Sequence, residues 1–190
     1  MIVFRHEGAI TVEIRTAKVN FSAAGGTAGK GAKTCKVTLP GKWIAEMGIE
    51  DERREILLTF DGSQINLSRS LSGDEFKAQK LSLGHDVRLF RYLDGERLCT
   101  SIYADFTDET LIAENHTDDP VITAFGNNSL PTWKDFMFFL EERCIPRRRA
   151  GLREYLEVLG LDGYDPLEII MKTGGRMAED DQLIEMATLL

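Results

Sequence analysis

The sequence predicts an α+β protein of two modules, a small β-rich one followed by a larger one that combines a hairpin with helices. Three observations lead to this prediction. Apolar and polar residues alternate in the first third of the chain, as they do in half-buried strands. Two Asp-Gly pairs, at 61–62 and 94–95, each separate two apolar runs, which is typical of tight hairpins. From Pro131 onward the apolar spacing becomes helical.

Within residues 1–70 we expect the order strand, loop, strand, short helix and hairpin. Alternation over 10–21 predicts strands, and the glycines of 23–33 predict a flexible loop. A strand then leads to Pro40, and a short helix ends at Gly48, as a C-cap glycine would end it. The hairpin over 54–69 completes the module.

Residues 71–84 have no convincing period and are predicted to form a linker. The second module, 85–190, is predicted to be a β-hairpin followed by four helices, with 111–115 as a possible third strand. Thr132 and Asp135 resemble a capping box at the start of the first helix. The other three helices are expected over 152–160, from Asp165-Pro166, and over 179–187.

Charge is distributed unevenly between the modules. The chain has a net charge of −8, which at first sight argues against DNA as a partner. Residues 1–70 nevertheless hold ten Lys/Arg against eight Asp/Glu, and residues 1–40 hold six against two. Residues 71–190 hold thirteen against twenty-three. The first module is therefore basic towards its start, and the second is strongly acidic.

Other features of the sequence bear on the compartment. No apolar run approaches the roughly 20 residues that a membrane span needs, and the early Glu7 with an alternating pattern is unlike a secretory signal. Three well-separated cysteines suggest neither a disulfide framework nor a zinc ribbon. We expect a cytoplasmic protein that does not enter a membrane.

The stretch KVTLPGKWIAEMGIEDERREILLTFDGSQINLSRS (36–70) resembles the AbrB/MazE/SpoVT family of swapped-hairpin DNA-binding proteins. In that family a strand ending in proline leads to a short helix closed by glycine, and an acidic residue and a hairpin follow. The resemblance implies a homodimer, in which two copies exchange hairpins to form one intertwined β-barrel that binds double-stranded DNA. By position it implies that the DNA-facing cations are Arg15, Lys18, Lys30, Lys33 and Lys36.

The C-terminal stretch from Pro131 resembles uncharacterised modules carried by Firmicutes and their mobile elements, which implies a toxin-antitoxin or phage setting. The densest basic cluster of the chain lies in this module, at Arg147, Arg148, Arg149 and Arg153. Arginines there could contact phosphate or an acidic groove on a protein partner, such as a toxin or a nuclease. The alternative is an exposed face that pairs with nearby glutamates.

Catalytic and metal chemistry has no positive support in the sequence. GGTAGKG (25–31) lacks the glycine and the Ser/Thr that a phosphate-binding loop requires at set positions. The three histidines are scattered, and the Asp118-Asp119 and Asp180-Asp181 pairs are explained by capping and solvation. We therefore expect no enzyme, no cofactor and no metal.

The sequence thus predicts a dimeric DNA-binding transcriptional regulator or antitoxin-like protein with a C-terminal protein-interaction module. The alternative is an inhibitor of a host nuclease encoded by a mobile element, resembling an anti-CRISPR protein, whose acidic module imitates DNA.

Overall fold

The computed structural model describes residues 13–24 and 31–187, and the chain divides into two compact units, Met1–Ser70 and Leu71–Leu190. We call them unit 1 and unit 2. Both combine helices with antiparallel sheets, so the predicted α+β class is confirmed.

Unit 1 contains two separate two-stranded sheets and one short helix. Strand β1 (Asn20–Ala23) pairs with β2 (Lys33–Lys36), and β3 (Ile56–Phe60) pairs with β4 (Ile65–Arg69). Along the chain, helix α1 (Gly41–Glu46) follows the first hairpin and precedes the second. This is the predicted order of elements. Most of the strand expected at 10–14, and residues 25–30 of the expected loop, fall outside the described residues.

Two glycines end elements of unit 1 at the positions that the sequence predicts. Gly48 follows α1 with a φ of +68°, in the left-handed region that favours glycine. Gly62 has a φ of +98° in the turn between β3 and β4. The preceding Asp61 carboxylate accepts hydrogen bonds of 2.8 Å from the backbone N–H groups of Ser63 and Gln64. That carboxylate therefore fixes the start of the turn.

The prediction that residues 71–84 form a linker is wrong, because helix α2 (Gly73–Ser82) occupies most of this segment. Ser72 and Glu75 form a capping box at the start of α2. Both residues of this motif are visible in the sequence, but the segment has no apolar period that would predict a helix. Few apolar residues of α2 face the protein, since it packs mainly through buried Phe76 and Gly73. Gly73 lies so close to Tyr103 that an added Cβ would be 1.9 Å from the ring.

Unit 2 is built on a four-stranded antiparallel sheet with the order β7-β6-β5-β8. Its strands are β5 (Val87–Asp94), β6 (Arg97–Asp105), β7 (Thr110–Asn115) and β8 (Gln182–Ala187). The predicted hairpin and its possible third strand are confirmed. The helix predicted over 179–187 is wrong: this segment is β8, because Leu183 and Ile184 pair with the free edge of β5.

Three helices cover the face of the sheet opposite α2. They are α3 (Trp133–Glu142), α4 (Leu152–Leu159) and α5 (Pro166–Thr173), and a 3₁₀ turn at Pro120–Ile122 precedes them. The caps predicted at Thr132, Gly160 and Asp165 are confirmed. Phe90 and Ile102, opposite each other in the sheet, are fully buried with Phe136 of α3. The core of unit 2 therefore lies between the sheet and these three helices.

Candidate functional site

Each hairpin of unit 1 has one apolar face. In the second hairpin Phe60 is opposite Ile65 and Leu58 is opposite Leu67, so these four side chains share a face. The other face carries polar pairs such as Thr59 with Asn66. In the first hairpin Phe21 is opposite Cys35 on one face. Such a two-sided pattern is typical of strands with one face packed against a core.

Nothing in the described part of unit 1 covers these apolar faces. None of its described residues is buried. Phe21, Phe60 and Ile65 are 66%, 69% and 71% exposed, which is unusual for large apolar side chains arranged on one face. Cys35, opposite Phe21, is exposed as well. Within the described residues, both apolar faces of unit 1 therefore lie exposed.

Of the predicted DNA-facing cations, the four that the structure describes are exposed, but they do not share one face. Arg15 lies 3.8 Å from Glu13 and its guanidinium is 5.6 Å from the Trp43 ring. Lys33 lies over Phe21, on the apolar side of the first hairpin, whereas Lys36 is opposite Asn20 on the polar side. Lys18 is exposed two residues before β1, and Lys30 lies outside the described residues.

Glu13 attaches the segment before β1 to helix α1, a contact that the sequence did not suggest. Its carboxylate accepts hydrogen bonds from Trp43 Nε1 at 2.8 Å and from Lys42 Nζ at 2.9 Å. The bond from Trp43, followed by that from Lys42, holds the pKa of Glu13 below its usual value. Arg15, which lies 3.8 Å from the same carboxylate, is thereby kept near α1.

In unit 2 the predicted arginine cluster splits into two pairs. Arg147 forms an ion pair with Glu141 at 2.7 Å and lies 4.2 Å from the Tyr164 ring, and Arg153 pairs with Glu157 at 3.0 Å. The glutamate pairing that the sequence left open therefore applies to these two. Arg148 and Arg149 instead line a cleft, and Arg176 lines it too.

A buried arginine, Arg143, holds this cleft together. Its guanidinium donates to Asp180 at 2.6 and 2.9 Å, to the carbonyl of Gln182 at 2.8 Å and to that of Gly175 at 3.0 Å. The hydrogen bonds from Arg143 hold the pKa of Asp180 below its usual value. Sequence reasoning assigned Asp180 to capping and overlooked Arg143, because the two are separated by 36 residues along the chain.

The cleft contains a thiol that is not activated. Cys144 is buried, and burial, with smaller contributions from Glu141 and Asp165, raises its pKa to about 12. Its Sγ lies 3.2 Å from the carbonyl oxygen of Leu140. A nucleophilic cysteine needs a lowered pKa, so Cys144 has a structural role.

A second polar cluster lies between α2 and the β6–β7 turn. Asp105 is fully buried, and its carboxylate lies 2.9 Å from both Lys80 Nζ and His85 Nδ1. Asp108 lies 2.7 Å from the same lysine. His85, Asp105 and Asp108 have the donor atoms of a metal site within 4.8 Å of one another. Lys80, however, already supplies the positive charge there, so we interpret the cluster as an ion-pair network that attaches α2 to the sheet.

Burial opposes the ionisation of Asp105, but its partners outweigh that effect. Hydrogen bonds from His85 and Lys80, together with the backbone N–H groups of Thr107 and Asp108, hold the pKa of Asp105 well below its usual range. Asp105 is therefore a carboxylate at neutral pH, fully partnered, and unsuited to acid-base catalysis.

Comparisons of the chain with family models, with curated proteins and with solved structures find no match. No helix in the described residues is long and apolar enough to cross a membrane.

Proposed function

We propose that the chain is a dimeric DNA-binding regulator of the AbrB/MazE/SpoVT kind, or an antitoxin-like protein, whose unit 1 forms a swapped-hairpin barrel with a second copy. The observation behind this proposal is the pair of uncovered apolar faces in a unit without a buried described residue. The order of strand, proline, short helix, glycine and hairpin supports the same family.

A second copy is the simplest occupant of these faces. An isolated two-stranded hairpin is marginally stable in water, and it becomes stable when more strands or another layer cover its apolar side. In a two-fold dimer the same patch of each copy packs against its equivalent. A single apolar face on the chain would therefore be covered by the same face of the second copy. Phe60 and Ile65 would then lie in the shared core.

The cations of unit 1 support DNA phosphates as the ligand. The exposed Lys18 and Lys36, which lie off the apolar face of the first hairpin, and a basic excess over residues 1–40 provide the charges that neutralise phosphates. Base edges are read mainly by arginine, asparagine and glutamine. In the described part of this region Arg15 and Asn20 are such side chains, and Arg15 already neighbours Glu13. We therefore expect phosphate contacts to contribute most of the affinity.

Unit 2 is proposed to be the partner-binding module, with a toxin or a nuclease as its partner. Its acidic excess favours a cationic surface on that partner, since opposite potentials speed association and select between partners. This same feature would serve the rival function, inhibition of a nuclease by an acidic mimic of DNA.

Binding of the full chain to a duplex carrying its own promoter, titrated in salt, tests the DNA-binding function. A Lys18→Ala/Lys36→Ala variant, which leaves the apolar face of the first hairpin unchanged, should bind more weakly, and the slope of log K against log salt should fall by about 2 if each lysine contacts one phosphate. Lys134→Ala/Lys172→Ala is the matched control, because it removes the same charge from exposed positions of unit 2. Equal loss in both variants, or no preference over random DNA, would refute specific regulation and favour the inhibitor.

A further inference from the structure

An open cleft of about 890 Å³ lies in unit 2, between the connection from α3 to α4 and the connection from α5 to β8. Arg148 and Arg149 lie on the first connection and Arg176 on the second. The cleft thus receives cationic side chains from two segments that are distant in sequence. Tyr155 and Met177 add apolar surface to its lining.

These three guanidinium groups are unpaired, although the unit has an excess of acidic residues. In the described part of the chain none of them makes an ion pair, a side-chain hydrogen bond or a cation–π contact. Their neighbours Arg147 and Arg153 both pair with glutamates outside the cleft. Glu179 lines the cleft as well, yet it forms no ion pair with these arginines. Three unpaired guanidinium groups therefore lie at one cleft.

The walls of the cleft are held in place without a ligand. Arg143 attaches the segment around Gly175 and Asp180 to the end of α3 through four hydrogen bonds. On the other wall, the hydroxyl of Tyr164 donates to the carbonyl oxygen of Ile145 at 2.9 Å. Because these contacts already fix the backbone of both walls, a ligand that enters the cleft would not need to order it, and the entropic cost of binding would be lower.

The start of α4 adds to the positive potential. Gly151, which lines the cleft, is the N-cap residue of α4 and provides no side-chain hydrogen bond to the first turn. The positive end of the helix dipole therefore lies at the same cleft as the three arginines.

We propose that this cleft binds a small organic phosphate, with the phosphate groups between Arg148, Arg149 and Arg176 and the apolar part against Tyr155 and Met177. One carboxylate carries the charge to neutralise one guanidinium, whereas a diphosphate carries enough charge for three. Phosphate oxygens also accept two parallel N–H bonds from one guanidinium. The volume falls within the 300–1,000 Å³ range that is typical of small-molecule sites. The inference goes beyond DNA binding, and its test involves no DNA.

Calorimetric titration of the full chain at physiological salt, first with inorganic pyrophosphate and then with adenosine diphosphate, tests the proposal. Both should bind with submillimolar Kd, and the nucleotide should bind more tightly because it adds apolar contact. Arg149→Ala/Arg176→Ala, which removes one cation from each wall, should weaken both by about a hundredfold, roughly tenfold for each lost charged contact. Lys134→Ala/Arg153→Ala, the charge-matched control at exposed positions outside the cleft, should change Kd by less than about threefold.

Thermal melting of both variants checks their folding, and since all four substituted side chains are exposed we expect the melts to match the parent. The absence of binding at millimolar concentration, or equal weakening in the control, would overturn the proposal. Tighter binding of a hexaglutamate peptide than of pyrophosphate would also overturn it and would identify a peptide site. Equal affinity for pyrophosphate and the nucleotide would refute the proposed contact of the apolar part of the ligand with Tyr155 and Met177.

Discussion

Changing Phe60 to lysine tests whether a second copy covers the apolar face of unit 1. Phe60 is 69% exposed on the chain alone and lies on the apolar face of the second hairpin. Complete burial of a phenylalanine side chain stabilises by about 1.5–3 kcal/mol. Removal of about two-thirds of that side chain from water would therefore contribute roughly 1–2 kcal/mol in each copy.

Both copies lose this contribution in a symmetric dimer, so Phe60→Lys should weaken the dimer by about 3 kcal/mol, or about a hundredfold in Kd. Thr59→Lys is the matched control, because Thr59 is adjacent in sequence, exposed, and on the polar face. Its effect on the dimer should be at most a few tenths of a kcal/mol.

Sedimentation velocity over a dilution series measures the dissociation constant for the parent and both variants. A parent that stays monomeric at every concentration would contradict the dimer and assign the apolar face to another occupant. Equal dissociation of the two lysine variants would contradict it as well, since the effect would then follow the added charge and not the face.

Two further predictions concern the stability of unit 2. The pKa of Asp105 is lowered on folding, so its contribution to stability is present above the unfolded value of about 4 and is lost as the pH falls below it. Asp105→Asn should lower the free energy of unfolding by about 2 kcal/mol at neutral pH and flatten its decrease below pH 4. Urea unfolding at a series of pH values measures both effects. An unchanged acid profile would contradict the prediction. Gly73→Ala should destabilise by about 1–3 kcal/mol, because the new Cβ would overlap the Tyr103 ring, and a thermal melt equal to the parent's would show that the ring can move at no cost.

Local signals in the sequence predicted most elements correctly. The helix starts at Thr132 and Asp165 and the ends at Gly48 and Gly160 follow from capping, which depends on residues within one turn. The Asp-Gly turns set the hairpin registers for the same reason. Helix α2 could have been found from Ser72 and Glu75, had the capping box been given more weight than the missing apolar period.

The segment 182–187 could not be assigned from its own residues. Leu183, Ile184 and Ala187 fit a short helix as well as a strand, and acidic residues before them favour a helix start. The edge of β5 decides between the two, because an unpaired strand edge offers backbone hydrogen bonds to whichever segment reaches it. That edge is about 90 residues away along the chain.

The α+β class, most turns and caps, and the uneven charge of the two units follow from local patterns and composition. Which charged side chains have partners depends on the tertiary structure. It separated Arg148 and Arg149 from Arg147 and Arg153, and it brought Arg176 beside the first two. Pairing of this kind depends on distances of a few ångströms between segments far apart in the chain, and residue spacing contains no information about those distances.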